Sequence, residues 1–521
     1  MNLDDQPSSG LLDDLPRGRH VRDIGQPPNN HFESIEDVLA TRSLRFDPVH
    51  NEHSKIFLGL VDANLQIARD LSSDRPMRYL TQGTPIGIAD DRHVCTVAGS
   101  RAGKGRSCLV PNALLLPAAT SLVCVDPKGD IARLTANFRA KLQQTYVLDP
   151  FDISGEHTRR YRCVYNALDV LLHSSRSRFV PDAKLIADSL IVSGDFKDKH
   201  WDECSRAMLG SICAHVASHV NYQGRRDLVT VWQLASELGR PHPEKHGHYL
   251  LEAEMLGNDA GDGMVRAGAR AFYDRTGGEF SSVLSNLRKH LDWISIGCTH
   301  DVLRGDSIDL SELKRRAMSL YVTLPALRMA DLSGWLRLVI QMAFAACEYE
   351  TQSFGHQTVF MLDEFSVLGR LKSAETAIAQ LAGMGVKCWI VVQDLTQLKK
   401  HYKESWETFI ANSGVFQFFG GADQTTLEYV SKMLGEAAVL TRSANSPTFN
   451  QAMKEAATGA SWSVSTKPLL NPTELAAYFS RDDRLLRQLI IRPGYRPMIT
   501  QRAFYDRHEL FQGKFWTGER Q

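Results

Sequence analysis

The succession HVCTVAGSRAGKG, residues 93–105, joins a short apolar run to a glycine-rich turn and then to a helical segment. Few folds accommodate that order. Glycines let successive backbone N–H groups turn inward around an anion, and a helix that starts directly afterwards adds the positive end of its dipole. Lys104 extends the cradle toward the β and γ positions of a polyphosphate. The candidate phosphate-binding residues are therefore Gly99, Ser100, Arg101, Ala102, Gly103, Lys104, Gly105, Arg106 and Ser107. Two positions depart from the general phosphate-loop pattern. Ala98 stands at the first glycine, and Gly105 stands where Ser or Thr normally ligates magnesium. Ser107 or water is left to fill that role. Taken alone, the loop is equally well read as an ordinary glycine-rich turn.

The surroundings of the loop decide more. From about Arg92 to Pro150, short apolar strands (HVCTVAG, SLVCVD, TYVLDP) alternate with helical segments, and the same alternation resumes with MSLYVTLP, TVFMLDEF, KCWIVVQD and VFQFFGG. Alternation of this kind predicts a mainly parallel sheet with crossover helices, an α/β fold. Between the two blocks, AKLIADSLIV, SRAMLGSICAHVASHV, LVTVWQLASEL and FSSVLSNLRKHLDWI carry helical spacing, which predicts an inserted all-helical domain. The expected organisation is a disordered tail over 1–35, a first part of the nucleotide-binding domain over 36–170, the helical insertion over 171–312 and the second part over 313–521. RQLIIRPGYRPMIT reads as a hairpin turning at Pro493 and Gly494.

Two further strand ends carry chemistry. Val359–Leu362 lead into Asp363 and Glu364, placing two carboxylates at the carboxyl edge of a buried strand, where parallel sheets bind ligands. Asp363 suits a metal ligand, for Mg²⁺, and Glu364 suits the group that orients and deprotonates attacking water. An acidic strand terminus is commoner than a catalytic one, but its pairing with a phosphate loop in one strand–helix sequence reverses that preference. Gln393, at the end of KCWIVVQ, is a candidate γ-phosphate sensor. Lys104, Asp363 and Glu364 are expected to meet around one magnesium triphosphate.

Composition limits the partners. The 60 Lys and Arg balance 60 Asp and Glu, so any grip on nucleic acid must come from a local groove. The nine cysteines include no Cys-x-x-Cys pair and sit largely in apolar runs, as reduced core residues do. No run of about 18 apolar residues is present and the start lacks a signal segment, so a soluble, cytoplasmic chain is expected.

With these pieces assembled, the chain resembles the coupling proteins of conjugation and type IV secretion, the TraG and TraD type of ATPase. The likeness covers most of residues 90–500. It rests on AGSRAGKGRSCLVPNALLLP, CVDPKGD, YNALDVL, SLYVTLP, FMLDEFSVLG and IVVQDLTQL in that order. The resemblance implies a RecA-like P-loop NTPase domain with an inserted all-α domain, ATP and Mg²⁺ as cofactors, and a homohexameric ring. It further implies single-stranded DNA with its relaxase, or effector proteins, as cargo, and type IV secretion channel components as partners. Within CVDPKGD, Asp126 and Lys128 become candidate nucleotide-site residues. A type I turn closed by Pro127 and Gly129 explains that segment equally well.

Relatives of this type carry membrane-spanning helices at the N-terminus. None is legible here, and recruitment to the cytoplasmic face of the inner membrane is the expectation. The stretch LAGMGVK lacks the arginine that some relatives use to complete a neighbour's site, leaving Arg101 or Lys387 as the trans-acting cation. Two alternatives stand beside this reading: a HerA- or FtsK-like DNA translocase unconnected with secretion, and a non-hydrolysing cargo receptor. Trp201, Trp232 and Trp293 are expected to be core residues rather than cargo anchors.

Overall fold

The computed structural model describes residues 30–69, 76–191, 199–351, 355–444 and 460–518. Its strands in chain order are β1 (Ile56–Val61), β2 (Asn64–Arg69), β3 (Pro76–Thr81), β4 (Thr84–Ile88), β5 (His93–Ala98), β6 (Ser121–Asp126), β7 (Gln144–Leu148), β8 (Met318–Thr323), β9 (Thr358–Leu362), β10 (Val386–Val392), β11 (Ser413–Phe419), β12 (Glu436–Ala444), β13 (Ala460–Pro468), β14 (Arg487–Ile491) and β15 (Met498–Gln501). They fall into two compact units. One comprises the described residues of Met1–Pro117 and Trp389–Lys514; the other comprises those of Ala118–Cys388 and Phe515–Gln521.

In the first unit the strand order is β4-β1-β15-β14-β11-β5-β10, β10 contributing its residues Trp389–Val392. β5 lies between β11 and β10 and is parallel to both. Every residue of β5, β10 and β11 is buried, which is why these strands read as continuous apolar runs rather than alternating ones. Beyond β11 the sheet turns antiparallel through β14, β15, β1 and β4. The β14–β15 pair is the hairpin expected around Pro493 and Gly494, with Ile490 opposite Met498. Strands β1 to β4 are not anticipated by the sequence reading. The run IFLGLV of β1 is apolar without a period, and periodicity alone cannot assign such a run.

The expected tail ends earlier than residue 35. Residues 1–29 lie outside the described residues, but Phe32 is 1% exposed and the Glu33 N–H donates to the Pro497 carbonyl at 2.9 Å. Ser34 then caps the helix Ile35–Ala40 by accepting from the Asp37 N–H. Burial of one phenylalanine and a satisfied cap outweigh the polar composition of the preceding stretch.

In the second unit the order is β9-β6-β8-β7, all parallel. The helix Ser333–Tyr349 buries almost its whole circumference, as its near-continuous apolar sequence requires. Between β7 and β8 the described residues form helices, turns and isolated bridges but no strand. The expected helical segments there overlap the helices Arg176–Leu190, Lys199–Ser218, Leu228–Glu237 and Gly278–Leu291, each segment running one to three residues past its helix, with Val192 outside the described residues. This helical block belongs to the same compact unit as the four strands. Trp293 is buried in it, while Trp201 and Trp232 are half-buried. All nine cysteines are free, and among the described residues no helix is long and apolar enough to cross a membrane.

Candidate functional site

The phosphate loop leaves the carboxyl end of β5 and is shaped by two close approaches. A Cβ on Gly99 would sit 1.9 Å from the Gly420 carbonyl oxygen, and one on Gly420 would meet the Ala102 side chain at 2.3 Å. No larger residue fits at either position while the loop keeps its path. Arg101 and Gly103 take positive φ values of 56° and 89°, which fold the chain back on itself. The Ala102 N–H donates to the Gly99 carbonyl, and the Gly99 N–H donates to Phe419. The N–H groups of Ser100, Arg101 and Gly103 have no backbone acceptor among the described residues. Those donors and the start of the following helix are what a polyphosphate requires.

Lys104 opens that helix in αR conformation, and the first turn, Gly105–Leu109, is wound as a π-turn. A Cβ at Gly105 would meet nothing within 4 Å, so packing does not demand glycine there. Ser107 is buried, and its hydroxyl donates to the Gly103 carbonyl at 3.0 Å, which leaves only its oxygen lone pairs for any other role. Arg106 forms a bidentate pair with Asp506 at 2.6 and 2.5 Å and lies 4.4 Å over the Phe504 ring. Its charge is thus committed to the C-terminal segment.

Gln393 follows β10 immediately. Val392 pairs with Val97, so one step further brings Gln393 level with Ala98 at the mouth of the loop. The Gln393 N–H donates to Gln397 Oε1 at 3.2 Å, and Asp394 caps the next helix by accepting from the Gln397 N–H. The backbone of the sensor candidate is fixed from both sides.

The carboxylates belong to the second unit. Val125 pairs with Leu362, so Asp126 and Asp363 follow side by side at the ends of β6 and β9. Asp126 is buried and accepts from the Ala132 N–H at 2.8 Å, and the Gly129 N–H donates to its carbonyl. It therefore closes the turn into the helix Asp130–Leu142, while Lys128 is exposed beyond it. Burial pushes the Asp126 carboxyl up to about 7 against the pull of the Ala132 N–H, and the charge on Asp363 adds to the rise. Asp363 accepts from the Glu364 N–H at 3.0 Å, and Glu364 sits in the left-handed region at φ 53°. A non-glycine residue held there at a strand end carries strain of the kind found at functional sites.

Several contributors are not legible in the sequence. Arg502, 1% exposed, donates to the Ala102 carbonyl at 2.7 Å and so fixes the loop from 400 residues away. Gly420 and Phe504 act on the same turn. VFQFFGG and QRAFYDRH held the only hints, a glycine pair after a strand and a cation among aromatics. Of the two trans-acting candidates, Lys387 is 1% exposed inside β10 and Arg101 is exposed in the loop.

A parallel sheet with a glycine-rich turn and helix at the end of β5 defines an α/β architecture of the RecA-like kind. Residues 63–516 match the family profile described as type IV secretory system conjugative DNA transfer, and the chain belongs to that family. Conjugal transfer protein TraG of Escherichia coli is 26% identical over 408 residues, covering 73% of this chain and 61% of TraG. Protein VirD4 of Rhizobium radiobacter is 25% identical over 375 residues, 70% of this chain and 50% of VirD4. The chain thus spans about half to three-fifths of the length of these curated relatives. Among solved structures, the bacterial conjugative coupling protein TrwBΔN70 in complex with sulphate shares the fold at a TM-score of 0.59 and 16% identity, over 80% of this chain and 88% of that one. TrwB in complex with ADP and Mg²⁺ matches over the same shares with a TM-score of 0.59.

Proposed function

We propose that this protein is an ATP-driven coupling protein that passes single-stranded DNA with its relaxase, or an effector protein, into a type IV secretion channel. The observation that carries the reading is a family member's phosphate loop whose backbone donors at Ser100, Arg101 and Gly103 point to no backbone acceptor. On this reading the loop amides of 99–105 and the Lys104 ammonium bind the β and γ phosphates, and the exposed Arg101 completes the site of a neighbouring subunit. Asp363 holds Mg²⁺, which neutralises charge on the phosphates when bound. Glu364 accepts a proton from the attacking water, and the Gln393 amide reports the γ-phosphate. Asp126 positions the turn next to Asp363, and Lys128 on that turn faces solvent where a nucleotide or a neighbouring subunit can meet it. The metal role falls to Asp363, with the lone pairs of the Ser107 oxygen or a water as the further ligand, since Gly105 offers no side chain and the Ser107 proton is turned away toward the Gly103 carbonyl. TrwB's complexes with an ATP analogue and with ADP and Mg²⁺ support nucleotide binding here.

Assembly into a hexameric ring would line one pore with repeated cations, so that a chain of zero formal charge still grips phosphates. The ring works at the cytoplasmic face of the inner membrane, brought there by channel partners. The test is an ATPase assay with and without single-stranded DNA, run beside electron microscopy of the oligomer. Magnesium-dependent turnover that DNA stimulates is the expected result. Tight nucleotide binding with no turnover under any condition would leave only a cargo receptor.

A further inference from the structure

The β14–β15 hairpin, at the edge of the first unit opposite the phosphate loop, holds a cation that the nucleotide site does not use. β11 runs parallel to β5, and β14 runs antiparallel to β11 with Phe418 opposite Leu489 and Phe416 opposite Ile491, so the turn after Ile491 lies at the amino edge of these strands. A cleft of about 520 Å³ opens there, lined by His31, Ser413, Phe416, Arg492, Tyr495 and Arg496 among others. Arg492 is only 9% exposed, yet its Nε has no hydrogen-bond partner among the described residues. A buried guanidinium with an unused donor is costly, and the cost disappears when an anion enters. Burial holds the Arg492 guanidinium below its ordinary range, as expected of a cation that lacks an adequate counter-ion.

The acids nearby do not supply one. Asp90 gives both carboxylate oxygens to Arg92, at 3.0 and 2.8 Å, and Glu33 acts on Arg492 only through space. The aromatic neighbour narrows the choice of anion. Arg492 stacks 3.9 Å over the Tyr495 ring, and Tyr495 is 62% exposed, so a flat aromatic surface backed by a cation faces solvent. A cation for phosphate beside an open ring for a base is the pairing with which proteins hold single-stranded nucleic acid without reading its sequence.

We propose that this cleft is a single-stranded DNA contact, with a base stacked on Tyr495 and its phosphate on Arg492. The proposal rests on the coupling-protein reading and adds a grip at the end of β11 opposite the one that meets the phosphate loop at Gly420. A carboxylate-rich peptide would satisfy Arg492 equally but would leave the Tyr495 face unused.

The test measures binding of a fluorescein-labelled oligothymidylate to the full chain by anisotropy, and maps crosslinks from a 5-iodouracil-substituted strand. Tyr495→Ala should weaken binding about five- to a hundredfold, with Tyr495→Phe restoring it. Arg492→Gln should reduce the salt slope by about 0.7, one phosphate for a single strand. The crosslink should fall on Tyr495. Undiminished binding by Tyr495→Ala, with crosslinks elsewhere, overturns the site while leaving the coupling function intact. Equal displacement by polyglutamate in wild type and Tyr495→Ala would also overturn it, by marking a general anion site. A wild-type chain that binds no single strand at all, as monomer or ring, removes both readings.

Discussion

Asp126 and Asp363 stand abreast at the carboxyl ends of two paired parallel strands, one buried and closing a turn, the other half-buried. The buried member keeps its proton up to about pH 7 because burial disfavours its charge, with Asp363 adding to the effect. The folded state therefore binds this proton more tightly than the unfolded chain, whose carboxyl titrates near 3.8. Stability contributed by the group falls as pH rises from about 4 to about 7, by up to about 4 kcal/mol, and levels off above. Asp126→Asn keeps an acceptor for the Ala132 N–H and removes the titration. Thermal melts in magnesium-free buffer should show the variant more stable than wild type at pH 8 and the difference shrinking toward pH 5. A parallel pair of curves would mean that Asp126 ionises at an ordinary pKa.

The glycines of the phosphate loop divide into required and dispensable ones. Gly99→Ala drives a methyl group into the Gly420 carbonyl, where only backbone movement relieves the clash. A loss of about 3 kcal/mol of stability, with nucleotide binding abolished, is expected. Gly105→Ala meets empty space on a helix with ordinary φ and should be neutral or stabilising by about 0.5–1 kcal/mol. Chemical denaturation and a fluorescent-nucleotide titration on both variants check the contrast.

The loop, the acidic pair and Gln393 were visible in the sequence because each ends an apolar strand, and a buried parallel strand announces its own terminus by the first polar residue. The helical block was visible through its 3.6-residue period. What stayed hidden arrives from distant segments: Arg502 reaches Ala102 through tertiary packing, and Gly420 is needed only because Gly99 lies against it. The strands of 56–88 were hidden for another reason, since an apolar run such as IFLGLV has the composition of strand and helix alike. The Asp126 turn was open between a structural and a catalytic role, and its contacts with Ala132 and Gly129 show that the structural role is at least present.

Arg502 offers a way to loosen the loop without touching a phosphate contact. Its guanidinium donates to Ala102 and more weakly to Leu486, and burial lowers its pKa to about 10. Arg502→Met preserves volume but strands the Ala102 carbonyl. Nucleotide affinity should fall about tenfold, equivalent to about 1.4 kcal/mol, with a larger loss in overall stability. Unchanged affinity in a folded variant would show that the loop holds its shape unaided.

Glu364 permits a separation of strain from chemistry. It occupies φ 53° and ψ 47°, a conformation that costs a side-chain-bearing residue about 1 kcal/mol relative to glycine. Glu364→Ala and Glu364→Gly both delete the carboxylate, so neither should turn over ATP, and Glu364→Gln should likewise bind nucleotide without releasing phosphate. The two truncations differ only in backbone freedom. If the left-handed turn is held under strain so that the carboxylate can face its water, the glycine variant should be more stable than the alanine variant by about 1 kcal/mol, read from denaturant midpoints at constant slope. Were alanine the more stable of the two, the entropy that glycine restores to the unfolded chain would exceed the relief, and the turn would be an ordinary strand end rather than a conformation maintained for catalysis.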